Sequence, residues 1–366
     1  MNRRKFLIRT VQGSTVAASA ISAPAIAQSE PTIKWRMVTS FPKSLDILSG
    51  AANQVAKRVA TITDNKFQIQ TFSAGEIVPP LQVLDAVQNG TVEAGLTPSF
   101  FYIGKDPTFA FDTAIPFGLT TRQQAAWVLE GGGYDLMKKF YQKYNVVHFP
   151  AANTGAQMGG WFRKEIKTVD DLHGIKMRVV GLGAQILAKL GVVPQNIPPG
   201  DLYPALEKGT IDAAEWIGPV DDERLGFVKV AKYYYYPGWW DPCAQTNVYV
   251  NQQHWDKLPD AYKAAIATAC SEAYTTTVAA YDARSPIALR RLITQGAILK
   301  PFSQELLTIC EKTAFEHYEE IAQKNADFRA IYEPWKKFRS EIILWFSVAE
   351  NSLDSFIMRA EAQRRG

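Results

Sequence analysis

The chain has 366 residues, of which 47% are hydrophobic and 21% are charged, an ordinary composition for one or two globular domains. Its formal charge of +4 comes from the first 27 residues, because the rest of the chain has 36 basic and 36 acidic residues. A neutral chain without a basic stripe is poorly suited to binding a polyanion, so nucleic acid is not an expected partner.

Residues 1–27 have the pattern of an export signal. The twin arginines Arg3 and Arg4 precede a weakly apolar run rich in Ala and Ser, which ends in an A-x-A cleavage site at residues 25–27. We therefore exclude this segment from the fold and expect export to the periplasm by the twin-arginine route. No later stretch has the roughly 20 apolar residues that span a bilayer, so we expect no transmembrane segment in the mature chain.

The mature chain opens with alternating strand and helix patterns. Residues 32–38 and 66–72 alternate as strands, and residues 45–61 between them have apolar side chains at helical spacing. A strand–helix–strand opening favours an α/β fold with parallel strands.

Two stretches that lie 119 residues apart share one pattern. Residues 79–94 and 198–213 each begin with two prolines, continue as a short helix, and reach a glycine that precedes a strand. This suggests two lobes that use the same device. Ligands of α/β proteins lie beyond the carboxyl ends of strands, so residues 97–102 and 215–219 are expected on opposite sides of one cleft.

Four polar residues are candidates for this cleft. Arg178 lies near the end of an apolar strand, and its planar guanidinium suits a carboxylate; the alternative is a structural ion pair. Gln157, Glu215 and Asp241 carry the oxygen ligands that hard cations prefer. The aromatic residues of 233–240 could form a core wedge, a cleft wall or a docking face.

The motifs of common enzyme classes are missing from the sequence. Neither a G-x-S-x-G elbow nor a P-loop occurs, and the four histidines have no metal-ligand spacing. The acids at 221–223 are interpreted as charges that complement a helix start. These features favour a binding protein over an enzyme. The alternative is a secreted metal-dependent hydrolase or lyase that uses Glu215, Asp241 and Asp222.

The last third of the chain is predicted to be mainly helical, over residues 261–285, 304–325 and 334–364. The last helix is amphipathic and about 45 Å long, so it either wraps both lobes or pairs with another molecule. The predicted lobes are residues 28–153 with 244–286, and residues 154–243 with 287–333. The cysteines Cys243, Cys270 and Cys310 leave a Cys270–Cys310 bridge open, although buried thiols are the preferred interpretation.

At these residues the mature chain resembles the extracytoplasmic solute-binding proteins of tripartite ATP-independent periplasmic (TRAP) transporters. Residues 174–178 are similar to the signature strand of that family, whose Arg binds the substrate carboxylate, and residues 207–213 resemble its second shared stretch. The resemblance implies a two-lobed α/β periplasmic binding protein that delivers its ligand to a membrane permease.

Residues 153–163, 215–219 and 234–240 are similar to the branch that binds 2-oxo and 2-hydroxy monocarboxylates, such as pyruvate or lactate, with sodium or calcium. The resemblance also implies a homodimer that forms through the long C-terminal helix. The implied substrate-binding residues are Arg178, Gln157, Asn153, Tyr102, Trp216 and Glu215. The implied metal ligands are Gln157, Glu215, the backbone oxygen of Trp216, and Asp241, where relatives carry Glu.

Overall fold

A computed structural model describes residues 31–365, so the predicted export signal at 1–27 lies outside the described residues. The described chain contains two mixed sheets surrounded by helices, which confirms the predicted α/β fold. The strands are β1 Ile33–Thr39, β2 Phe67–Phe72, β3 Ala94–Thr97, β4 Val146–Asn153, β5 Trp161–Phe162, β6 Lys176–Arg178, β7 Val193–Gln195, β8 Ala213–Ala214, β9 Tyr233–Tyr236, β10 Gln245–Asn251 and β11 Ile298–Pro301. The helices are α1 Asp46–Ile62, α2 Val83–Gln88, α3 Thr121–Leu129, α4 Gly133–Tyr141, α5 Gly181–Lys189, α6 Leu202–Glu207, α7 Pro219–Leu225, α8 Gln252–Asp256, α9 Asp260–Thr294, α10 Gln304–Lys324, α11 Ala326–Phe346 and α12 Ser352–Arg365.

The first sheet, which defines the first lobe, has the strand order β2-β1-β3-β10-β4. Strand β1 is parallel to β2 and β3, whereas β10 is antiparallel to both β3 and β4. Helices α1 and α9 pack against this sheet. All seven residues of β10 are buried, because this strand lies between two others and under helices.

The second sheet, which defines the second lobe, has the order β11-β9-β5-β8-β6-β7. Strand β6 is parallel to β7 and β8, and β5 is antiparallel to β8 and β9. The chain therefore enters this sheet after β4 and returns to the first sheet at β10. The assignment of whole residue ranges to each lobe remains a prediction.

Both copies of the proline–helix–glycine pattern have the predicted structure. Each consists of a short helix, a glycine with positive φ and a strand, with Gly90 at φ 70° in the first lobe and Gly209 at φ 71° in the second. This left-handed conformation is unstrained for glycine and ends the helix, so the chain turns toward the strand that begins four residues later, at Ala94 and at Ala213.

Helix α9 links the two lobes. It contacts α1 and β4 in the first lobe and α7 in the second. The predicted end at residue 285 is wrong by nine residues. The helix continues past Pro286, which lies inside it. Ala288 and Leu292, beyond the proline, are buried, and this packing offsets the hydrogen bond that proline cannot donate.

The long C-terminal helix is confirmed, but it begins at Ala326 rather than at residue 334. The side chain of Asn325 caps it by accepting a hydrogen bond from the backbone N–H of Phe328. Its first half buries Phe328, Tyr332 and Trp335 beside α3 and α4. The helix then continues through a π turn at Ser347–Asn351 into α12. Seven large apolar side chains of the second half are 47–71% exposed, and they are Leu344, Trp345, Val348, Leu353, Phe356, Ile357 and Met358.

The three cysteines are buried free thiols, so the possible Cys270–Cys310 bridge is not formed. Burial raises the pKa of the Cys243 and Cys310 thiols to about 12. A thiol that remains protonated is a poor nucleophile, and these cysteines are therefore packing residues.

Within residues 31–365, no helix is both long enough and apolar enough to cross a membrane.

Candidate ligand-binding site

Arg178 lies at the carboxyl end of β6 and is 1% exposed. Its Nη1 donates to the backbone oxygen of Glu215 at 2.8 Å and to Oε2 of the Glu215 carboxylate at 2.7 Å. Its guanidinium carbon lies 4.9 Å from the ring centroid of Trp216. Because β6 and β8 are parallel neighbours, Arg178 and residues 215–216 emerge at the same edge of the sheet.

One side of the Arg178 guanidinium has capacity for another acceptor. Nε donates to the backbone oxygen of Ile197 at 3.3 Å, and Nη1 is used by Glu215. Among the described residues, none accepts a hydrogen bond from Nη2. A guanidinium has five donors, so this arrangement leaves room for an anionic ligand.

Gln157 presents an unpaired oxygen to the same region. Its Nε2 donates to Oγ1 of Thr154 at 3.0 Å, which fixes the orientation of the amide. Oε1 is buried, and no group in the described part of the chain donates to it. A buried amide oxygen without a partner is costly, so it marks a place where a donor or a cation is expected to bind.

The segment 215–217 is held by its backbone on both sides of Trp216. The N–H of Glu215 donates to the carbonyl of Arg178 at 2.9 Å, and the carbonyl of Ile217 accepts from the N–H of Met158 at 2.9 Å. Within residues 31–365, the Trp216 carbonyl between them accepts no hydrogen bond. This carbonyl is therefore free to bind a cation.

Two buried carboxyl groups lie near the single Arg178 charge. Asp241 is 4% exposed and Glu215 is 2% exposed. Burial raises the pKa of Glu215 to about 8 and that of Asp241 to about 7, and the positive charge of Arg178 opposes both shifts. A bound cation would stabilise both ionised forms, so the electrostatics of the site fit a metal ion.

These polar groups line a small cavity between the lobes. Its volume is about 20 Å³, which is little more than the space that one water molecule requires. The predicted residues Gln157, Arg178, Glu215, Trp216 and Asp241 all line it. Its apolar wall consists of Phe41, Leu48, Pro98, Phe100, Phe101 and Ile217.

Two predicted substrate-binding residues, Tyr102 and Asn153, lie outside this lining. The Tyr102 hydroxyl is buried between the N–H of Leu84 and the hydroxyl of Thr97. Asn153 accepts from the N–H of Gly155, and its amide donates to the hydroxyl of Tyr274. Both residues support segments that lead to the cavity.

The buried aromatics of the run at 233–240 belong to the core rather than to a cleft wall, and they are Tyr234, Tyr235, Trp239 and Trp240; Tyr236 is 40% exposed. Tyr234 stacks on Trp161 at 4.0 Å, and Tyr235 stacks on Phe302 at 4.8 Å. The aromatic wall is formed instead by Phe41, Phe100 and Phe101, which the sequence interpretation missed. Phe100 and Phe101 immediately precede Tyr102, so the predicted segment was correct although its cavity-facing residues were not.

A larger cavity of about 580 Å³ lies between α3, β4 and α9. Its lining includes Leu129, Phe149 and Tyr274, but none of the predicted site residues. Its lining contains no buried cationic side chain such as Arg178. The cavity is therefore interpreted as a groove between packed elements and not as an anion-binding site.

The candidate cation site differs from metal centres rich in His, Cys and acids. In the part of the chain that the structure describes, no three such side chains converge on one point. Two carboxylates, one amide oxygen and one backbone carbonyl form an all-oxygen set that suits a hard cation.

Comparison with known proteins agrees with the sequence and the fold. Residues 38–325 match the model of the bacterial extracellular solute-binding proteins, family 7. A monocarboxylate 2-oxoacid-binding periplasmic protein of Nostoc sp. PCC 7120 is 49% identical over 360 residues, which cover 97% of this chain and 99% of the relative.

Solved structures of TRAP solute-binding proteins have the same fold. A protein from Bordetella bronchiseptica is 52% identical, with a TM-score of 0.90 over 91% of this chain and 99% of its own; it is a mixed-occupancy dimer with calcium and picolinate in one active site. A protein from Pseudoalteromonas atlantica with sodium and pyruvate is 35% identical, with a TM-score of 0.86 over 88% of this chain and 99% of its own. One from Colwellia psychrerythraea with calcium and pyruvate is 34% identical, with the same TM-score and coverage.

The family consists of solute receptors of transporters, which excludes the alternative of a hydrolase or lyase. Asp222, a residue of that alternative, is also absent from the cavity lining. The chain is thus a member of family 7 of the bacterial extracellular solute-binding proteins, the extracytoplasmic solute receptors of TRAP transporters.

Proposed function

We propose that the cleft binds a small 2-oxo or 2-hydroxy monocarboxylate together with a metal cation, and that the loaded protein delivers the acid to a TRAP permease. The observation that carries this proposal is the unpaired oxygen of Gln157 in the same cavity as the Arg178 guanidinium. The Gln157 oxygen can bind a cation and the Arg178 guanidinium can bind an anion. A 2-oxo acid together with a metal cation would satisfy both groups.

Arg178 would bind the carboxylate of the acid through Nη2, the nitrogen without a partner among the described residues. Gln157, Glu215, Asp241 and the Trp216 carbonyl would hold the cation, which supplies a positive charge to the 2-oxygen and the carboxylate. The side chain of Asp241 is one methylene shorter than the Glu of relatives. Direct contact between its carboxylate and the cation therefore requires the ion to lie closer to the segment between β9 and β10, which contains Asp241.

The relatives support this assignment. The Nostoc relative is named for 2-oxoacid binding, and the Pseudoalteromonas and Colwellia proteins hold pyruvate with sodium or calcium. The Bordetella protein holds picolinate with calcium, so an aromatic carboxylate is a second ligand to examine.

The apolar wall would select for a short side chain on the acid. Leu48 and Phe100 belong to the first lobe and Ile217 to the second, and all three line the cavity. Because Arg178, Glu215 and Asp241 are at most 4% exposed, ligand entry requires the lobes to separate and then close, a hinge movement that the bound ligand stabilises.

Calorimetry with pyruvate tests the role of Arg178. Arg178→Ala is expected to abolish measurable binding in both calcium and sodium, whereas the surface variant Arg163→Ala keeps the wild-type affinity. Because removal of Arg178 leaves two buried acids without compensation, thermal unfolding must first show that the variant is folded. An Arg178→Ala protein that folds and binds pyruvate as the wild type does would eliminate the proposed clamp.

We also propose that the protein is a homodimer that forms through α12. The exposed apolar side chains of this helix support that proposal, as does the dimer of the Bordetella relative. Similarly, the twin arginines support export by the twin-arginine route. Replacing Arg3 and Arg4 with Lys is expected to leave precursor in the cytoplasm, which fractionation measures.

A further inference from the structure

A buried carboxyl group lies directly behind the cation-binding segment. Asp221, in the first turn of α7, is fully buried, and its Oδ2 accepts a hydrogen bond from the hydroxyl of Tyr281 at 2.7 Å. The indole N–H of Trp216 lies next to the same carboxyl group, although it does not form a hydrogen bond of good geometry. Burial raises the pKa of Asp221 to about 6, and the two neighbouring donors oppose this shift.

Tyr281 belongs to α9, the helix that contacts both lobes. Its side chain is 2% exposed, so water cannot replace Asp221 as the hydrogen-bond partner of the hydroxyl unless Tyr281 leaves the core. Its hydrogen bond therefore fixes the start of α7, in the second lobe, to the helix that also packs on the first sheet.

Trp216 connects this arrangement to the ligand site. Its carbonyl accepts no hydrogen bond within the described residues, and its ring lies 4.9 Å from the guanidinium carbon of Arg178. A rotation of the indole would therefore move the surface on which Arg178 rests, beside the cation-binding carbonyl of the same residue. The second Asp221 oxygen, Oδ1, is buried without a donor in the described part of the chain, so the carboxyl is held mainly by Tyr281.

We infer that Asp221 and Tyr281 are positioning residues of the binding site, which hold Trp216 in the orientation that the cation and the acid require. This inference rests on the proposed function. It assigns a role to two side chains that touch neither ligand, and it links the cation-binding loop to the helix that both lobes share.

A purely structural hydrogen bond is the competing explanation, and a matched variant separates the two. Tyr141 makes a buried bond of the same kind in the first lobe, where its hydroxyl donates to Oδ2 of Asp112 at 2.8 Å and also lies 2.9 Å from the hydroxyl of Tyr249. Tyr141→Phe removes the same kind of bond but leaves Trp216 untouched. Tyr141→Phe is expected to lower the melting temperature at least as much as Tyr281→Phe, because it also removes the contact with Tyr249, and this loss reports the structural role alone.

The deciding experiment is calorimetry of pyruvate binding in the presence of calcium for the wild type, Tyr281→Phe and Tyr141→Phe. Supporting residues behind metal ligands change metal affinity by about 10- to 100-fold, so we expect Tyr281→Phe to bind pyruvate at least about tenfold more weakly. Tyr141→Phe should stay within about twofold of the wild type. If Tyr281→Phe does not fold, Asp221→Ala, which removes the acceptor of the Tyr281 hydrogen bond, is expected to give the same loss of affinity.

A second measurement does not depend on the ligand. In protein labelled with 5-fluorotryptophan, the ¹⁹F resonance of Trp216 is expected to shift in Tyr281→Phe and to stay in place in Tyr141→Phe. An unshifted resonance, or wild-type pyruvate affinity in Tyr281→Phe, would overturn the inference. A wild-type protein that binds no 2-oxo acid with calcium or sodium would instead overturn the proposed function, and the fluorine measurement would still decide the role of Tyr281.

Discussion

The ring of Phe100 lies against Gly181 across the cleft, so the two lobes meet directly beside the ligand site. A Cβ atom at position 181 would lie only 2.8 Å from Cδ2 of Phe100, and Gly181 has a φ of 64°. Glycine alone both adopts this left-handed conformation without strain and leaves room for the ring. Phe100 follows the third strand of the first lobe, and Gly181 begins the helix after the Arg178 strand.

Gly181→Ala is therefore expected to weaken ligand binding as well as stability. Backbone strain and the clash should together cost about 1–3 kcal/mol, and part of this loss falls on the closed arrangement of the lobes. We expect about a tenfold lower affinity for pyruvate, which calorimetry measures. Gly174→Ala is the matched control, because Gly174 has a φ of 76° but open space where the Cβ would lie. Equal affinities in the two variants would show that the Phe100 contact does not control closure.

Gln157→Leu should remove the response to cations without unfolding the protein. The variant deletes a buried oxygen that has no partner among the described residues, together with the hydrogen bond from the amide to Thr154, so the free energy of unfolding without cation should change by about 1 kcal/mol or less. In the wild type, calcium at 100 times its Kd should stabilise the fold by about 2.7 kcal/mol. Thermal unfolding with and without calcium measures both quantities. A calcium-dependent increase in Tm that survives in the variant would exclude Gln157 from the ligand set.

Asp222 should make the protein less stable as the pH rises. Its Oδ2 accepts from Trp161 Nε1 and from the Tyr234 hydroxyl, and burial raises its pKa to about 8. The folded protein then keeps a proton that the unfolded chain releases near pH 4, so this group destabilises the fold progressively between about pH 4 and 8. The slope for one proton is at most about 1.4 kcal/mol per pH unit.

Asp222→Asn preserves both accepted hydrogen bonds but binds no proton. The difference in unfolding free energy between the variant and the wild type should therefore shift in favour of the variant from pH 5 to pH 8. Denaturant unfolding at several pH values measures this difference. A difference that is constant with pH would show that Asp222 is already ionised in the folded protein.

Phe356→Glu should convert the proposed dimer into a monomer. Phe356 is 63% exposed on α12, so a charge at this position costs the isolated chain little but would disrupt an apolar interface. Sedimentation velocity distinguishes the two states. Asp354→Asn on the same helix is the control and should leave the dimer intact; a wild-type monomer would eliminate the proposal outright.

The parts of the site that depend on strand ends could be predicted from the sequence. Arg178 ends one strand and Glu215 follows its parallel neighbour, so their proximity can be deduced once the strands are identified. The exchange of Tyr102 for Phe100 and Phe101 could not be predicted, because the turn Ser99–Tyr102 decides which ring faces the cavity. Phe100, Phe101 and Tyr102 are consecutive aromatic residues, and the sequence pattern does not distinguish which of them faces the cavity.

The burial of Asp221 and Asp222 could not be predicted from the sequence either. Acids at a helix start are usually solvent-exposed complements of the helix dipole, and that was the expectation here. Both are buried instead and accept hydrogen bonds from Tyr281 and Trp161, which lie 60 and 61 residues away in the sequence. Local patterns contain no information about contacts of that separation.

The placement of β10 also governs the order in which this chain can fold. Gln245–Asn251 is inserted between Ala94–Thr97 and Val146–Asn153, so the first sheet remains split until residue 251 has been made. A fragment that ends after Asn153 would expose two unpaired strand edges, which invite aggregation. Neither lobe can therefore be expressed alone as one continuous piece of the chain. A split version of this receptor would have to be cut after Pro301, the end of β11, because only then does one fragment contain all the strands of both sheets.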